Sequence, residues 1–202
     1  MELHNRSVRT DVRELGALLG DVLAAQTSTA AYETVEDLRT AAIAYRQGDA
    51  ESRDALYDAI DDLSGSREGI VARAFTTYFE LINLAEERER VRAVRNAESA
   101  GAIHDSFAET IAEFAEEGVA ADELEALLGD VLIEPTFTAH PTEARRATVK
   151  AKLRSIANLI EELDEQRLTD RERQARWRDV SAEVTSLWGT RKVRQRRPEP
   201  TR

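Results

Sequence analysis

The chain has 202 residues, 42% of them hydrophobic and 33% charged, a formal net charge of −11 and no cysteine. That length suits one good-sized domain or two small ones, and the missing cysteines exclude disulfides, thiolate metal sites and thiol catalysis. The N-terminal stretch "MELHNRSVRTDVRELG" has no apolar core of the secretory type, and no apolar run approaches the ~20 residues of a membrane span, so a cytoplasmic protein without a membrane partner is expected.

Most of the chain reads as helix. In residues 7–26, Val8, Val12, Leu15, Leu19 and Val22 recur at three- and four-residue spacing. Residues 32–48 repeat the pattern with Val35, Leu38, Ala42 and Tyr45 and stop at Gly48, a common C-terminal signal. A third helix is expected over 50–63 on Leu56, Ile60 and Leu63. A long fourth covers 66–96, with Val71, Phe75, Tyr78, Phe79, Ile82 and Ala85 as its stripe. Beyond Ala85 the run "EERERVRAVR" predicts a solvated, charge-paired extension. Two shorter helices are predicted at about 103–116 and 121–129. The segment "VLIEPTFTA", 131–139, then changes character: it is rich in Val, Ile, Thr and Phe, which is strand composition, with Pro135 confined to a non-donating position. Helix resumes after Pro141, which suits a first turn because its missing N–H is not needed there, and runs to about Leu168. "TDRE", 169–172, is a capping-box pattern opening a last helix with Trp177, Val184, Leu187 and Trp188. There is no internal repeat of fixed period and no low-complexity segment.

Charge is unevenly distributed. Residues 1–140 hold 12 basic and 29 acidic groups, a net of −17, whereas residues 141–202 net +6. Only three lysines occur, Lys150, Lys152 and Lys192. Many acids with almost no lysine read as a halophilic surface, where salt relieves self-repulsion. A codon bias toward Arg and Ala would leave the same composition.

The junction at "FTAHPTEARRATV", 137–149, concentrates the chemistry-bearing residues. A strand end feeding a helix start is where α/β barrels place their reactive groups. A helix N-terminus offers free N–H groups and partial positive charge to an anion. His140 can exchange a proton near neutral pH, and Arg145, Arg146 and Lys150 stand close behind it in sequence. A phosphate or carboxylate substrate fits this pattern. So does a plain alternative, in which His140 caps the helix and the cations form a solvated face. His4 and His104 read as ordinary surface or cap residues.

This stretch resembles the histidine signature of the phosphoenolpyruvate carboxylase family, in which Thr-Ala-His-Pro-Thr and an acid or amide precede two arginines. Residues 70–92, with Ala74-Phe75 and Asn83-Leu84-Ala85-Glu86, and residues 186–200, with Trp188, Thr190 and Arg194, resemble two further family segments in the same order. The arginines stand five and six residues after His140, where the family has six and seven. Arg146 therefore matches the first family arginine, Ala147 takes the place of the second, and Arg145 is a neighbour that substitutes for it. The family's acidic pair after the threonine is Arg191-Lys192 here, so its role does not carry over.

The resemblance implies a mainly α fold: an N-terminal helical region over 1–130, then the start of a catalytic α/β (TIM-type) barrel over 131–202, with the first strand at about 131–139. It implies a lyase that makes oxaloacetate and phosphate from phosphoenolpyruvate and bicarbonate, feeding the tricarboxylic acid cycle. Mg2+ or Mn2+ would serve as cofactor, with ligands outside this chain, and the full-length protein would be a homotetramer. His140 would be the general base, and Arg146 and Arg145 would contact substrate oxygens. Family members are several times longer than 202 residues, so an N-terminal piece, inactive alone, is expected. An all-α scaffold without catalysis also fits the helical pattern. Nucleic-acid binding through "RKVRQRRPEPTR" does not: the tail lacks interleaved aromatics and the chain is acidic.

Overall fold

The computed structural model describes residues 6–48, 51–63, 65–101, 106–135, 147–164 and 168–190. Among these residues it has eight helices and no strand: α1 (Val8–Gln26), α2 (Thr29–Arg46), α3 (Glu51–Asp61), α4 (Ser66–Ser99), α5 (Phe107–Glu116), α6 (Ala121–Gly129), α7 (Ala147–Leu163) and α8 (Asp170–Gly189). Local chemistry sets several of the starts. The Ser7, Ser28 and Ser106 hydroxyls accept from the Thr10, Ala31 and Glu109 N–H groups, each satisfying a helix donor that has no partner inside the helix. Thr169 and Glu172 form the reciprocal capping box that "TDRE" predicts.

The core lies where α1, α4, α7 and α8 meet, and α2 and α3 flank it. Its side chains come from widely separated parts of the chain: Leu15 and Leu19 of α1, Leu81 and Ala85 of α4, Ile156 and Ile160 of α7, Val184 and Leu187 of α8. Each set repeats every three or four residues and so forms one buried stripe. α4 has 34 residues. At 1.5 Å per residue it is a rod of about 51 Å that both α1 and α7 use as a support.

Four expectations change. In α4 the predicted Val71 and Ala85 are buried and Phe75 and Tyr78 pack against the core, but Ala74, Thr77 and Leu81 join the stripe and Phe79, 57% exposed, falls outside it. The end of α4 is charge-paired and mostly solvated, but Arg88 and Arg92 are buried, because acids on α1 and just after α7 lie against them. Residues 131–135 form no strand, since no described strand lies beside them to complete a ladder, and Val131, Leu132 and Ile133 are exposed. Residues 136–139 of that predicted strand lie outside the described residues. α7 ends at Leu163, earlier than its pattern suggested. No described helix is long and apolar enough to cross a membrane.

Candidate functional site

His140, Arg145 and Arg146 lie outside the described residues, as does Arg194. The structure defines the platform from which that segment emerges. α7 begins at Ala147, directly after it, and is anchored within its first turn by Val149, which is fully buried. One turn on, Lys152 Nζ pairs with Glu183 of α8 at 3.3 Å, and the Ser155 hydroxyl lies 3.3 Å from the same carboxylate. Lys150 points to solvent. At the far end of α7, Arg173 of α8 donates to the free Leu163 carbonyl at 3.1 Å.

Just past that end sits a buried ionic cluster. Arg92 of α4 is 2% exposed and lies between two carboxylates. Its Nη2 donates to Asp11 of α1 at 2.6 Å, and its Nε donates to Asp164, just after α7, at 2.8 Å. Burial works against the charge on Arg92, but the hydrogen bonds to Asp164 and Asp11, and their attraction, outweigh it and hold the guanidinium above its ordinary value. Arg6 completes the Asp11 side: its Nε donates to Oδ1 at 2.8 Å, and its guanidinium lies 5.2 Å from the centre of the Trp177 ring of α8. Glu89 of α4 accepts from the Val8 N–H at 3.1 Å, capping α1 from a distance of 81 residues in sequence. Arg88 reaches Glu161 at 3.2 Å, and its Nη2 stands 3.9 Å from Asp164. The cluster thereby ties α1, α4 and the end of α7 at one point. Each charge has an opposite charge as partner, the condition under which ions persist in a core. Sequence reasoning missed it. The only available signal was a set of arginines and acids on separate helices, which does not reveal who meets whom.

A cleft of about 440 Å³ opens between α1, α2 and α4. Gly16 and Gly20, one helical turn apart on α1, face two rings: a Cβ on Gly16 would stand 3.5 Å from Tyr78 and one on Gly20 3.7 Å from Tyr32, ordinary contact distances. Arg39, also on the lining, binds Glu36 through two nitrogens at 2.7–3.2 Å. That hydrogen bond to Glu36 raises the Arg39 pKa against a smaller opposing effect of burial. Two of its nitrogens are thus engaged, and Arg13 and Asp21, exposed charges of opposite sign, also line the cleft.

Among the described residues, no group of three or more His, Asp or Glu side chains is placed to hold a metal ion. The acids of the buried cluster are paired with arginine, although Asp164 Oδ1 is left without a hydrogen-bond partner among the described residues.

Comparison with known proteins supplies the family. The family model described as phosphoenolpyruvate carboxylase matches residues 8–202. The phosphoenolpyruvate carboxylase of Ralstonia nicotianae is 37% identical over 196 residues, which is 96% of this chain and 20% of the relative. That of Paraburkholderia xenovorans is 38% identical over 191 residues, 93% of this chain and 19% of the relative. The Thermus thermophilus enzyme is 35% identical over 195 residues, 95% of this chain and 21% of the relative. The chain thus spans about a fifth of the length of the curated relatives it matches. With a matching model over nearly every residue, the motif segment included, the chain belongs to the phosphoenolpyruvate carboxylase family.

Proposed function

We propose that the chain is the N-terminal part of a phosphoenolpyruvate carboxylase, with residues 1–130 as its helical layer and residues 131–202 as the start of its catalytic barrel. The observation that carries this reading is the family match across residues 8–202, which takes in the motif at 137–149. The enzyme transfers the phosphoryl group of phosphoenolpyruvate to bicarbonate, giving carboxyphosphate and the enolate of pyruvate. His140 takes the carboxyl proton of carboxyphosphate, which splits into CO2 and phosphate, and the enolate carbon attacks the CO2 to form oxaloacetate. Arg146, with Arg145 beside it, holds anionic oxygens of the substrate through charge-assisted hydrogen bonds. Mg2+ or Mn2+ takes its ligands from outside these residues. The full-length enzyme is a cytoplasmic homotetramer that takes neither nucleic acid nor membrane as a partner. The 202-residue piece alone is inactive.

The supporting geometry is the rigid seat of α7. That helix follows the motif directly and is fixed near its start by Val149 and the Lys152–Glu183 pair, and beyond its end by Asp164 on Arg92. A reacting group must be held to within a fraction of an ångström, which needs such a support. The test is to express the coding region together with whatever follows it and assay oxaloacetate and phosphate from phosphoenolpyruvate and bicarbonate. Formation of both in equal amounts is expected. A well-folded full-length product that forms neither would refute the reading.

A further inference from the structure

α5 and α6 stand apart from the core: they approach neither each other nor any other helix, and neither contains a buried residue. They have 10 and 9 residues. Isolated helices shorter than about 12–15 residues are marginal in water, so helices this short need a surface to pack on. Each has one apolar face. Phe107, Ile111 and Phe114 are spaced four and three apart on α5, and on α6 Leu127 and Leu128 stand three and four residues after Leu124. Phe107 is 91% exposed, and the chain then runs into Leu132 and Ile133, each 83% exposed. These exposed side chains, on two helices that do not touch each other, are apolar surface of the kind a finished protein covers. The charge around it has one sign: residues 107–134 contain nine carboxylates and no Lys or Arg.

We propose that this face is the seat of polypeptide that follows residue 202 in the same full-length molecule, an apolar surface rimmed by Arg or Lys. The inference rests on the reading of the chain as part of a longer carboxylase, and two observations choose the occupant. The relatives are about five times as long as the matched region, so a large body of the same polypeptide is at hand. A second copy of this face is the wrong partner. A two-fold interface would bring together two stretches of like charge, each with nine carboxylates and no Lys or Arg in its sequence. Covering by the same molecule also requires no separate association step, since the linked surface is always near.

Thiol labelling of the full-length protein tests this. These 202 residues contain no cysteine, so Phe107→Cys, Leu128→Cys and Leu132→Cys each add a reporter on the face, and Glu116→Cys adds one on the opposite side of α5. Mass spectrometry of the labelled peptides reads each position separately. Labelling on the face is expected to be at least about 100-fold slower than at residue 116, at every protein concentration, because it must await local opening. Equal rates overturn the proposal, and so does protection that fades on dilution, which would identify a second copy. If a cysteine variant fails to fold, hydrogen exchange on the unaltered full-length protein decides: the α5 and α6 amides should be slow, and exchange at free-peptide rates overturns the proposal. Oxaloacetate formation by the same preparation is scored independently. Slow labelling without activity refutes the enzyme reading alone, and rapid labelling with normal activity refutes the docking alone.

Discussion

His140 and Arg92 carry the two sharpest expectations at the scale of single residues. Replacing His140 with Asn in the full-length protein keeps size and hydrogen bonding but removes the titratable nitrogen pair. One acid–base group is typically worth about 10²–10⁴-fold, so oxaloacetate formation should fall by that order. Phosphoryl transfer from phosphoenolpyruvate should suffer less, because positioned cations drive it electrostatically. Phosphate should then appear in excess over oxaloacetate, in a bicarbonate-dependent way. Near-normal oxaloacetate output, measured in the same assay as phosphate, would end the catalytic role. Arg92 is a structural counterpart. Substituting Met leaves Asp164 and part of Asp11 buried without their main partner, and removing one member of a buried pair costs about 3–5 kcal/mol. Because Arg6 still serves Asp11, the lower end of that range is expected in urea unfolding. The comparable change at Arg95, half exposed and 3.4 Å from Glu161, should cost under about 1 kcal/mol. Equal effects at the two positions would show that the buried cluster contributes no more than a surface pair.

At the scale of elements, helix α8 supplies a pH dependence. The Thr169 N–H and hydroxyl both donate to Glu172, at 2.8 and 2.7 Å, and these two bonds hold the Glu172 carboxyl below its ordinary value of 4.5. A folded-state pKa below the unfolded one means that the cap stabilises the helix above about pH 4.5 and is lost as the pH falls through the lower, folded-state value. Carbon-13 NMR of the Glu172 carboxyl should show a midpoint below 4.5, and Thr169→Ala, which keeps the N–H but removes the hydroxyl, should move it only part of the way back. The same substitution should destabilise the chain by about 1 kcal/mol at neutral pH, the usual cost of a lost N-cap. An unmoved midpoint in Thr169→Ala would show that the Thr169 hydroxyl does not bond Glu172 in solution. The "TDRE" pattern made this cap legible, because a capping box is satisfied within four consecutive residues. The face of α4 was not legible to the same degree. Phe75 and Tyr78 pack against the core as their bulk suggests, but Phe79 does not, and Thr77 and Arg92 are buried there instead, Arg92 because Asp11 on α1 lies against it.

For the molecule as a whole, charge makes the boldest forecast. The −17 on residues 1–140, nine charges of it on the stretch that carries α5 and α6, should repel itself at low ionic strength. Raising salt from millimolar to molar screens that repulsion, so the helical signal in circular dichroism should rise across the range. A flat response would remove the halophilic reading. The buried Asp11–Arg92–Asp164 cluster should be nearly indifferent to the same change, since ions shielded from solvent are screened much less.

The sequence by itself determined which segments are helical, where α1 and α8 begin, that the chain is mainly α, and the motif around His140 that led to the family. These features are local: a 3.6-residue period, a cap and a contiguous signature are each complete within a short window. Only the tertiary structure decided that Arg92 unites Asp11 and Asp164 across 81 and 72 residues. It also decided that Glu89 caps α1, and that α5 and α6 carry their apolar faces into the open. The strand composition of 131–139 could not become a strand over 131–135 for the same reason. A strand needs a neighbour to complete its hydrogen bonds, and whether one stands beside it depends on residues far away in the chain.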